Sequence, residues 1–134
     1  MVKSGTRVVL DTNVLISAIV FGGKSRSVLK LLLKDKIVGV TSGVLLAELS
    51  EVIHKKFPFK KSDLEYIEEQ IRTDFELVNP RIEIKIARDD DDNRVLEAAV
   101  EGDCEYIVTG DEDLLIFKKY KTIKIMTPAE FLNE

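Results

Sequence analysis

The sequence of 134 residues contains one cysteine, one histidine and no tryptophan. Because Cys104 has no second cysteine to pair with, an intrachain disulfide is impossible, and we expect a cytoplasmic protein. The only histidine, His54, lies among lysines, which argues against a zinc site and a Ser-His-Asp hydrolase. No apolar run approaches the ~18–20 residues of a membrane span, so we expect neither a transmembrane helix nor a signal peptide.

The chain also lacks an excess of basic residues, and its formal net charge is −4. This balance argues against a broad basic face of the kind that grips duplex DNA. Nucleic acids stay open as ligands, because a bound metal ion inverts the local potential. Hydrophobic residues make up 45% and charged residues 33% of the chain, so we expect a single globular domain over residues 1–134.

The hydrophobic periodicity alternates between strand and helix. This order predicts an α/β fold, a three-layer α/β/α sandwich with a mainly parallel central sheet. Strands are predicted at residues 6–10, 37–40, 106–109 and 122–126, with weaker candidates at 76–78 and 82–86. Helices are predicted at 12–20, 25–33, 44–56, 62–74, 93–101 and 114–117, and a last one begins at the capping box Thr127-Pro128-Ala129-Glu130.

Two aspartates stand where predicted strands end. Asp11 directly follows strand 6–10, and Asp111 follows strand 106–109 after Gly110. Ligands of parallel α/β sheets bind just beyond the carboxyl ends of the strands, so both carboxylates are candidates for one site. The alternative is that each aspartate only caps the helix that follows it.

Two further carboxylates lie on the inner faces of predicted helices. Glu48 sits beside the apolar stripe of helix 44–56, where an unpaired charge is costly to desolvate. The alternative is a glutamate that pairs with a lysine. Asp92 ends a run of four aspartates and begins the apolar face of helix 93–101. Helix capping explains one or two of the four, whereas a divalent cation would relieve the repulsion among all of them.

A site built only from carboxylates favours a hard cation, Mg²⁺ or Mn²⁺. Asp113 is close enough to Asp111 to be an auxiliary ligand. The natural chemistry of such a site is phosphoryl transfer, in which one metal ion lowers the pKa of an attacking water and a second stabilises the leaving oxygen.

Four segments, in this order, resemble the PIN domain. The resemblance covers essentially the whole chain and points to the short single-domain prokaryotic PIN proteins, which include the toxins of VapBC-type toxin–antitoxin pairs. The segments are Val8-Val9-Leu10-Asp11-Thr12-Asn13, Leu46-Ala47-Glu48-Leu49, Asp91-Asp92-Asn93-x-x-Leu96-Glu97-x-Ala99 and Ile107-Val108-Thr109-Gly110-Asp111-x-Asp113-Leu114-Leu115.

The resemblance implies a metal-dependent endoribonuclease. Its catalytic and metal-binding carboxylates would be Asp11, Glu48, Asp92 and Asp111, with Asp113 as an additional ligand. Thr12, Asn13 and Thr109 would contact these carboxylates without binding the metal and so orient them, with Asn13 and Thr109 acting through hydrogen bonds. The resemblance also implies a homodimer and, for the toxins, a cognate antitoxin that occupies the active site.

A basic and aromatic segment at residues 55–61 suits single-stranded RNA, which is bound through both charge and stacking. The alternative is a solvated loop whose two phenylalanines anchor it to the core. Candidate RNA-binding residues are Lys24, Arg26, Lys55, Lys56, Lys60 and Lys61, with Lys118, Lys119 and Lys121 as secondary candidates.

Other functions fit the sequence less well. A receiver domain would place a lysine after the last strand, where this chain has Met126-Thr127-Pro128, and a haloacid-dehalogenase-like phosphatase would have a second aspartate at Asn13. Two alternatives stay open within the PIN resemblance. One is an RNA-processing nuclease without an antitoxin, and the other is a catalytically silent fold used for binding.

Overall fold

The structure, a computed structural model, describes residues 2–134. Its centre is a sheet of six strands in which all pairings are parallel except that of the fifth and sixth strands. The strands are β1 (Thr6–Leu10), β2 (Ile37–Ser42), β3 (Glu76–Val78), β4 (Tyr106–Val108), β5 (Lys119–Tyr120) and β6 (Ile123–Met126), in the spatial order β3-β2-β1-β4-β6-β5.

The helices cover both faces of this sheet. They are α1 (Thr12–Ile16), continued by a π-helical turn (Ser17–Phe21), α2 (Gly23–Leu33), α3 (Gly43–Lys56), α4 (Lys61–Asp74), α5 (Asp90–Glu101), α6 (Glu112–Leu115) and α7 (Pro128–Leu132). Within the described residues, no helix is both long and apolar enough to span a bilayer.

Alternate residues of β1 belong to two separate hydrophobic cores. Val8 and Leu10 pack with residues of α1, α2, α3 and α7 on one face, whereas Val9 packs with α5 on the other. A strand buried on both faces is the reason for the unbroken apolar run at 8–10. The predicted three-layer α/β/α architecture is therefore confirmed.

The topology creates a crevice beside the first strand. From β1 the chain moves through β2 to β3 at one edge, and then crosses back to β4 on the other side of β1. The order of strands thus reverses between β1 and β4, and their carboxyl ends form the switch point at which open α/β sheets bind ligands.

The predicted strand at 82–86 is wrong. The backbone N–H groups of Ile84 and Ile86, and that of Arg81 just before the segment, bond to α5 side chains. Glu101 accepts from the N–H of Arg81 at 3.1 Å, and Glu97 accepts from that of Ile84 at 2.9 Å. The segment therefore runs along α5, held by side chains that recur every fourth residue on one face of that helix.

Several boundaries also differ from the prediction. The helix predicted at 12–20 changes to π geometry after Ile16, and the next helix begins at Gly23, before the predicted cap Ser25. The helix predicted to begin at Ser62 begins at Lys61, so Ser62 lies inside α4. The backbone N–H of Lys60, directly before this helix, donates to the side chain of Asp63. The remaining shifts move the start of α5 to Asp90 and extend β2 to Ser42, and the two-residue strand β5 was not predicted.

Candidate metal centre

Three of the predicted carboxylates meet at the switch point. Asp11 follows β1, Asp111 follows β4, and Asp92 lies in the first turn of α5. Each offers one carboxylate oxygen, and these three oxygens all lie within 4.8 Å of one another. Residues separated by up to 100 positions in the sequence therefore form one acidic group, which we call the aspartate trio.

Asp11 is fixed by hydrogen bonds to both of its carboxylate oxygens. Its side chain is 6% exposed, Oδ1 accepts from the backbone N–H of Thr12 at 2.7 Å, and Oδ2 accepts from the hydroxyl of Thr109 at 2.6 Å. Burial raises the pKa of Asp11 above its ordinary value, and these two hydrogen bonds offset part of that shift. The carboxylate is thus held in one orientation although no cation pairs with it among the described residues.

Asp92 is the least satisfied member of the trio. It is 4% exposed, and its Oδ2 has no hydrogen-bond partner within the described chain. Burial, followed by the neighbouring carboxyl group of Asp111, raises the pKa of Asp92 to about 7. A buried carboxylate oxygen without a donor is costly unless a proton or a cation meets it. The site therefore fits a hard divalent cation, for which carboxylate oxygens are suitable ligands.

Glu48 lies beside the trio without belonging to it. It projects from α3 and is half-buried. Burial raises its pKa to about 7, and the charges of Asp91, Asp11 and Asp89 add to the shift. The role of Glu48 as a metal ligand stays a prediction.

Asp113 and Asn13 are not members of the trio. The Asp113 carboxylate accepts from Nη2 of Arg88 at 3.1 and 3.3 Å, while its backbone N–H donates to Asp111 Oδ1 at 2.8 Å. Asn13 is exposed, and within residues 2–134 no hydrogen bond joins it to a carboxylate of the site. Thr12 contributes its backbone N–H. The predicted roles of Asp113 and Asn13 are therefore still predictions.

Comparison with known proteins decides the family. Residues 7–113 match the PIN domain family over most of the chain. The chain belongs to the PIN domain family. PIN domains are generally nucleases, so an acidic group at the carboxyl ends of β1 and β4 is consistent with membership.

The chain is also similar to individual proteins. The uncharacterized protein MJ1680 of Methanocaldococcus jannaschii is 34% identical over 152 residues, covering 100% of this chain and 94% of the relative. The structure of VapBC2 from Rickettsia felis, bound to a DNA fragment from their promoter, has a TM-score of 0.63 at 18% identity, covering 90% of this chain and 97% of that one. FitAcB from Neisseria gonorrhoeae gives a TM-score of 0.54 at 13% identity, with 91% and 98% covered. At these identities the two structures show the PIN fold alone.

Sequence reasoning missed two side chains that shape this PIN domain's site. Asn93 is 3% exposed, and its Oδ1 accepts from the backbone N–H groups of Ile86 and Ala87 at 3.1 and 2.9 Å. Its position directly after Asp92 was the available signal. Arg88, the partner of Asp113, lies 25 residues away from it in the sequence, and nothing local indicates this contact.

The side chains predicted to bind RNA differ in their contacts within the protein. The Arg26 guanidinium is engaged in the fold, because it donates to the carbonyl oxygens of Ala18 and Ile19 at 2.8 and 3.2 Å and so holds the π-helical turn. Lys55 pairs with Glu51 at 2.8 Å. Four other lysines predicted to bind RNA are exposed: Lys24, Lys56, Lys60 and Lys61.

Three aromatic rings, Phe21, Phe57 and Phe59, form a row between the basic residues that follow the π-helical turn and the basic segment 55–61. We call these three rings the aromatic row. Phe21, at the end of the π-helical turn, is 73% exposed and lies edge-on to Phe57, with ring centroids 6.0 Å apart. Phe57 lies 6.4 Å from Phe59, and both pack against the core. These two rings therefore anchor the loop to the core, and the exposed ring is Phe21. Whether the loop also binds RNA stays a prediction.

Proposed function

We propose that this PIN domain is an endoribonuclease that cleaves single-stranded RNA with Mg²⁺ or Mn²⁺. The observation that carries the proposal is Asp92 Oδ2, a buried carboxylate oxygen that lacks a hydrogen-bond partner in the described chain and belongs to the aspartate trio. Family membership supports a nuclease, and the chemistry of the donor set supports a hard cation.

The aspartate trio would hold the cation, with Glu48 completing the site. When bound, the metal ion supplies Lewis-acid chemistry, lowering the pKa of water and stabilising negative charge on phosphate oxygens. In the absence of a cation, burial and mutual repulsion favour the protonated forms of Asp92 and Glu48 near neutral pH. The protein would therefore bind the ion best in neutral to basic solution, where protons compete less.

The remaining residues of the site orient the ligands. Thr109 and the N–H of Thr12 fix both oxygens of Asp11, and the N–H of Asp113 fixes one oxygen of Asp111. Each of these donors lies in the first turn of a helix or directly after a strand. We infer that they hold the carboxylates in the geometry that the cation requires, which is the usual role of groups behind metal ligands.

The aromatic row and its lysines are the surface that we assign to RNA bases and phosphates. Phe21 lies ten residues after Asp11 along α1 and the π-helical turn, which corresponds to about 15 Å at the helical rise. A single strand of a few nucleotides spans such a distance, with one base stacked on Phe21 and its phosphates near Lys24. The surface is therefore suited to substrate outside the cleavage point.

A toxin of a type II toxin–antitoxin pair is the biological role that we propose for this nuclease. The support is the likeness to VapBC2 and FitAcB. This role implies a cytoplasmic homodimer and a cognate antitoxin. The second candidate is an RNA-processing PIN nuclease, which would purify from its native source without a small DNA-binding partner.

The test of the proposed activity is cleavage of an end-labelled single-stranded RNA in Mn²⁺. The wild type is expected to cut, EDTA to stop it, and Asp11→Asn to lose at least ~100-fold of the rate while remaining folded. The matched control is Asp35→Asn. Asp35 is exposed and lies just before the amino end of β2, whereas the aspartate trio lies at the carboxyl edge of the sheet. Asp35 adopts a positive φ, which asparagine tolerates. Equal cleavage by Asp11→Asn and the wild type would contradict the proposal, as would cleavage that persists in EDTA.

A further inference from the structure

Arg88 has an exposed, positively charged side chain, and hydrogen bonds fix the residues directly before and after it. The N–H of Ala87, directly before it, donates to Asn93 Oδ1 at 2.9 Å. Asp89, directly after it, caps α5 by accepting from the N–H of Asp91 at 3.0 Å. The Arg88 side chain is nevertheless 86% exposed. Its position is therefore fixed at the base, while its guanidinium remains accessible to a ligand.

The guanidinium contacts Asp113, which is itself hydrogen-bonded to the aspartate trio. Nη2 of Arg88 donates to both carboxylate oxygens of Asp113, at 3.1 and 3.3 Å. The backbone N–H of Asp113 in turn donates to Asp111, a member of the trio. Among the ion pairs of residues 2–134, this is the one that brings a cation to the segment 109–113.

The positive charge of Arg88 reduces the electrostatic repulsion between the acidic site and an anionic substrate. A polyanionic substrate must approach four consecutive aspartates at 89–92 as well as Asp111, Glu112 and Asp113. A guanidinium presents paired N–H donors that match a phosphate, and this pairing is stronger than a single neutral hydrogen bond. An ion pair as exposed as that of Arg88 with Asp113 contributes little to stability, so a phosphate group can displace the carboxylate.

We propose that Arg88 binds an RNA phosphate adjacent to the one that is cleaved, and that Asp113 holds the guanidinium in place until the phosphate displaces it. This inference rests on the proposed function and specifies how that site recognises its substrate. It gives Asp113 the role of a positioning residue for Arg88, in contrast to the predicted role of metal ligand.

The test measures RNA binding by itself. A fluorescein-labelled 12-nucleotide oligouridylate is titrated in Mn²⁺ at several NaCl concentrations, with every variant in the Asp11→Asn background so that the oligonucleotide is not cut. Arg81→Gln is the matched control. Arg81 belongs to the same segment before α5, is 84% exposed and pairs with Glu101 at 3.3 Å, at the far end of the helix from the trio.

Arg88→Gln is expected to weaken binding about fivefold or more relative to Arg81→Gln. It should also reduce the slope of log K against log salt by about 0.7, the value for one lost phosphate contact on a single strand. Arg88→Lys should keep the slope and recover only part of the affinity, because lysine lacks the planar fork. Asp113→Asn should tighten RNA binding and, in the wild-type background, leave the Mn²⁺ titration midpoint unchanged.

Two results would overturn the inference while leaving the proposed function in place. One is equal affinity and equal salt slope for Arg88→Gln and Arg81→Gln. The other is a roughly tenfold weaker Mn²⁺ affinity of Asp113→Asn, which would make Asp113 a ligand. Absence of oligonucleotide binding by every variant, together with absence of cleavage by the wild type, would overturn both proposals.

Discussion

The Thr109 hydroxyl donates a hydrogen bond of 2.6 Å to Asp11 Oδ2, and it accepts one of 3.0 Å from the backbone N–H of Asp111. Thr109 itself is fully buried, and its own N–H continues the ladder to Met126. One side chain therefore fixes the ends of two adjacent strands, and with them two members of the aspartate trio.

Replacement of Thr109 tests this link. Thr109→Val keeps the shape but removes the hydroxyl, so Asp11 Oδ2 loses its donor while Oδ1 keeps the N–H of Thr12. We expect about 10–100-fold weaker Mn²⁺ binding. Thr109→Ser retains the hydroxyl and should stay within about threefold of wild type by the same reasoning. Isothermal titration with Mn²⁺ measures both. Equal affinities for the valine and serine variants would show that this hydrogen bond does not position the ligands.

The metal-free protein should become less stable as pH rises. The folded-state pKa of Asp92 and of Glu48 is about 7, above the ordinary values of 3.8 and 4.5. Between pH ~4 and ~7 the folded protein therefore binds protons that the unfolded chain has released, so the free energy of unfolding decreases with pH. The limit is about 1.4 kcal/mol per pH unit for each group, and the half-buried Glu48 should contribute less than Asp92.

Urea unfolding in EDTA at several pH values from 5 to 8 measures this dependence. Asp92→Asn should flatten it and stabilise the metal-free protein at pH 8 by about 1–3 kcal/mol, because the buried charge is gone. Asp103→Asn, at an exposed aspartate, should leave the pH dependence unchanged. A wild-type stability that rises from pH 5 to 8 would contradict the assigned pKa shifts.

Asn93 should stabilise the segment that leads to Arg88. Asn93→Ala leaves the N–H groups of Ile86 and Ala87 without their acceptor, at an expected cost of about 1–3 kcal/mol for each group that water cannot reach. Hydrogen exchange of those two amides should accelerate. The exposed Asn79 provides the control substitution. Unchanged exchange at residues 86 and 87 would mean that the side chain does not hold this segment.

Gly39 marks a close approach between the sheet and its helices. A Cβ placed there would overlap Leu32 Cδ1 and lie 2.7 Å from Phe75 Cδ2. Gly39→Ala should therefore lower the free energy of unfolding by about 1–3 kcal/mol and leave Mn²⁺ affinity unchanged. Gly43→Ala, in the first turn of α3 with open space around it, is the control and should be neutral or stabilising. Equal urea midpoints for the two variants would contradict the packing described here.

Two of the features predicted correctly depend on neighbours in the sequence. The apolar run before Asp11 predicts a buried strand, and Thr127 with Glu130 forms the expected capping box. The meeting of Asp11 with Asp111 was also predictable, because parallel strands bring their carboxyl ends to one edge of the sheet.

The features missed or predicted wrongly depend on distant partners. Residues 82–86 alternate like a strand, but their N–H groups bond to Glu97 and Asn93 of α5. The π-helical turn is held by the guanidinium of Arg26, eight residues after Ala18. Arg88, just before α5, pairs with Asp113 of α6, 25 residues later in the sequence. In each case a side chain from another element decides the geometry.

The most direct test of the central claim is a crystal structure of the protein soaked in Mn²⁺, with anomalous data collected to locate the ion. We expect an anomalous peak bonded to carboxylate oxygens of Asp11, Asp92 and Asp111 at about 2.0–2.4 Å, including the Asp92 oxygen that lacks a hydrogen-bond partner in the described chain. A well-ordered crystal with no peak at the aspartate trio, or with manganese bound only elsewhere, would contradict a metal centre at this site.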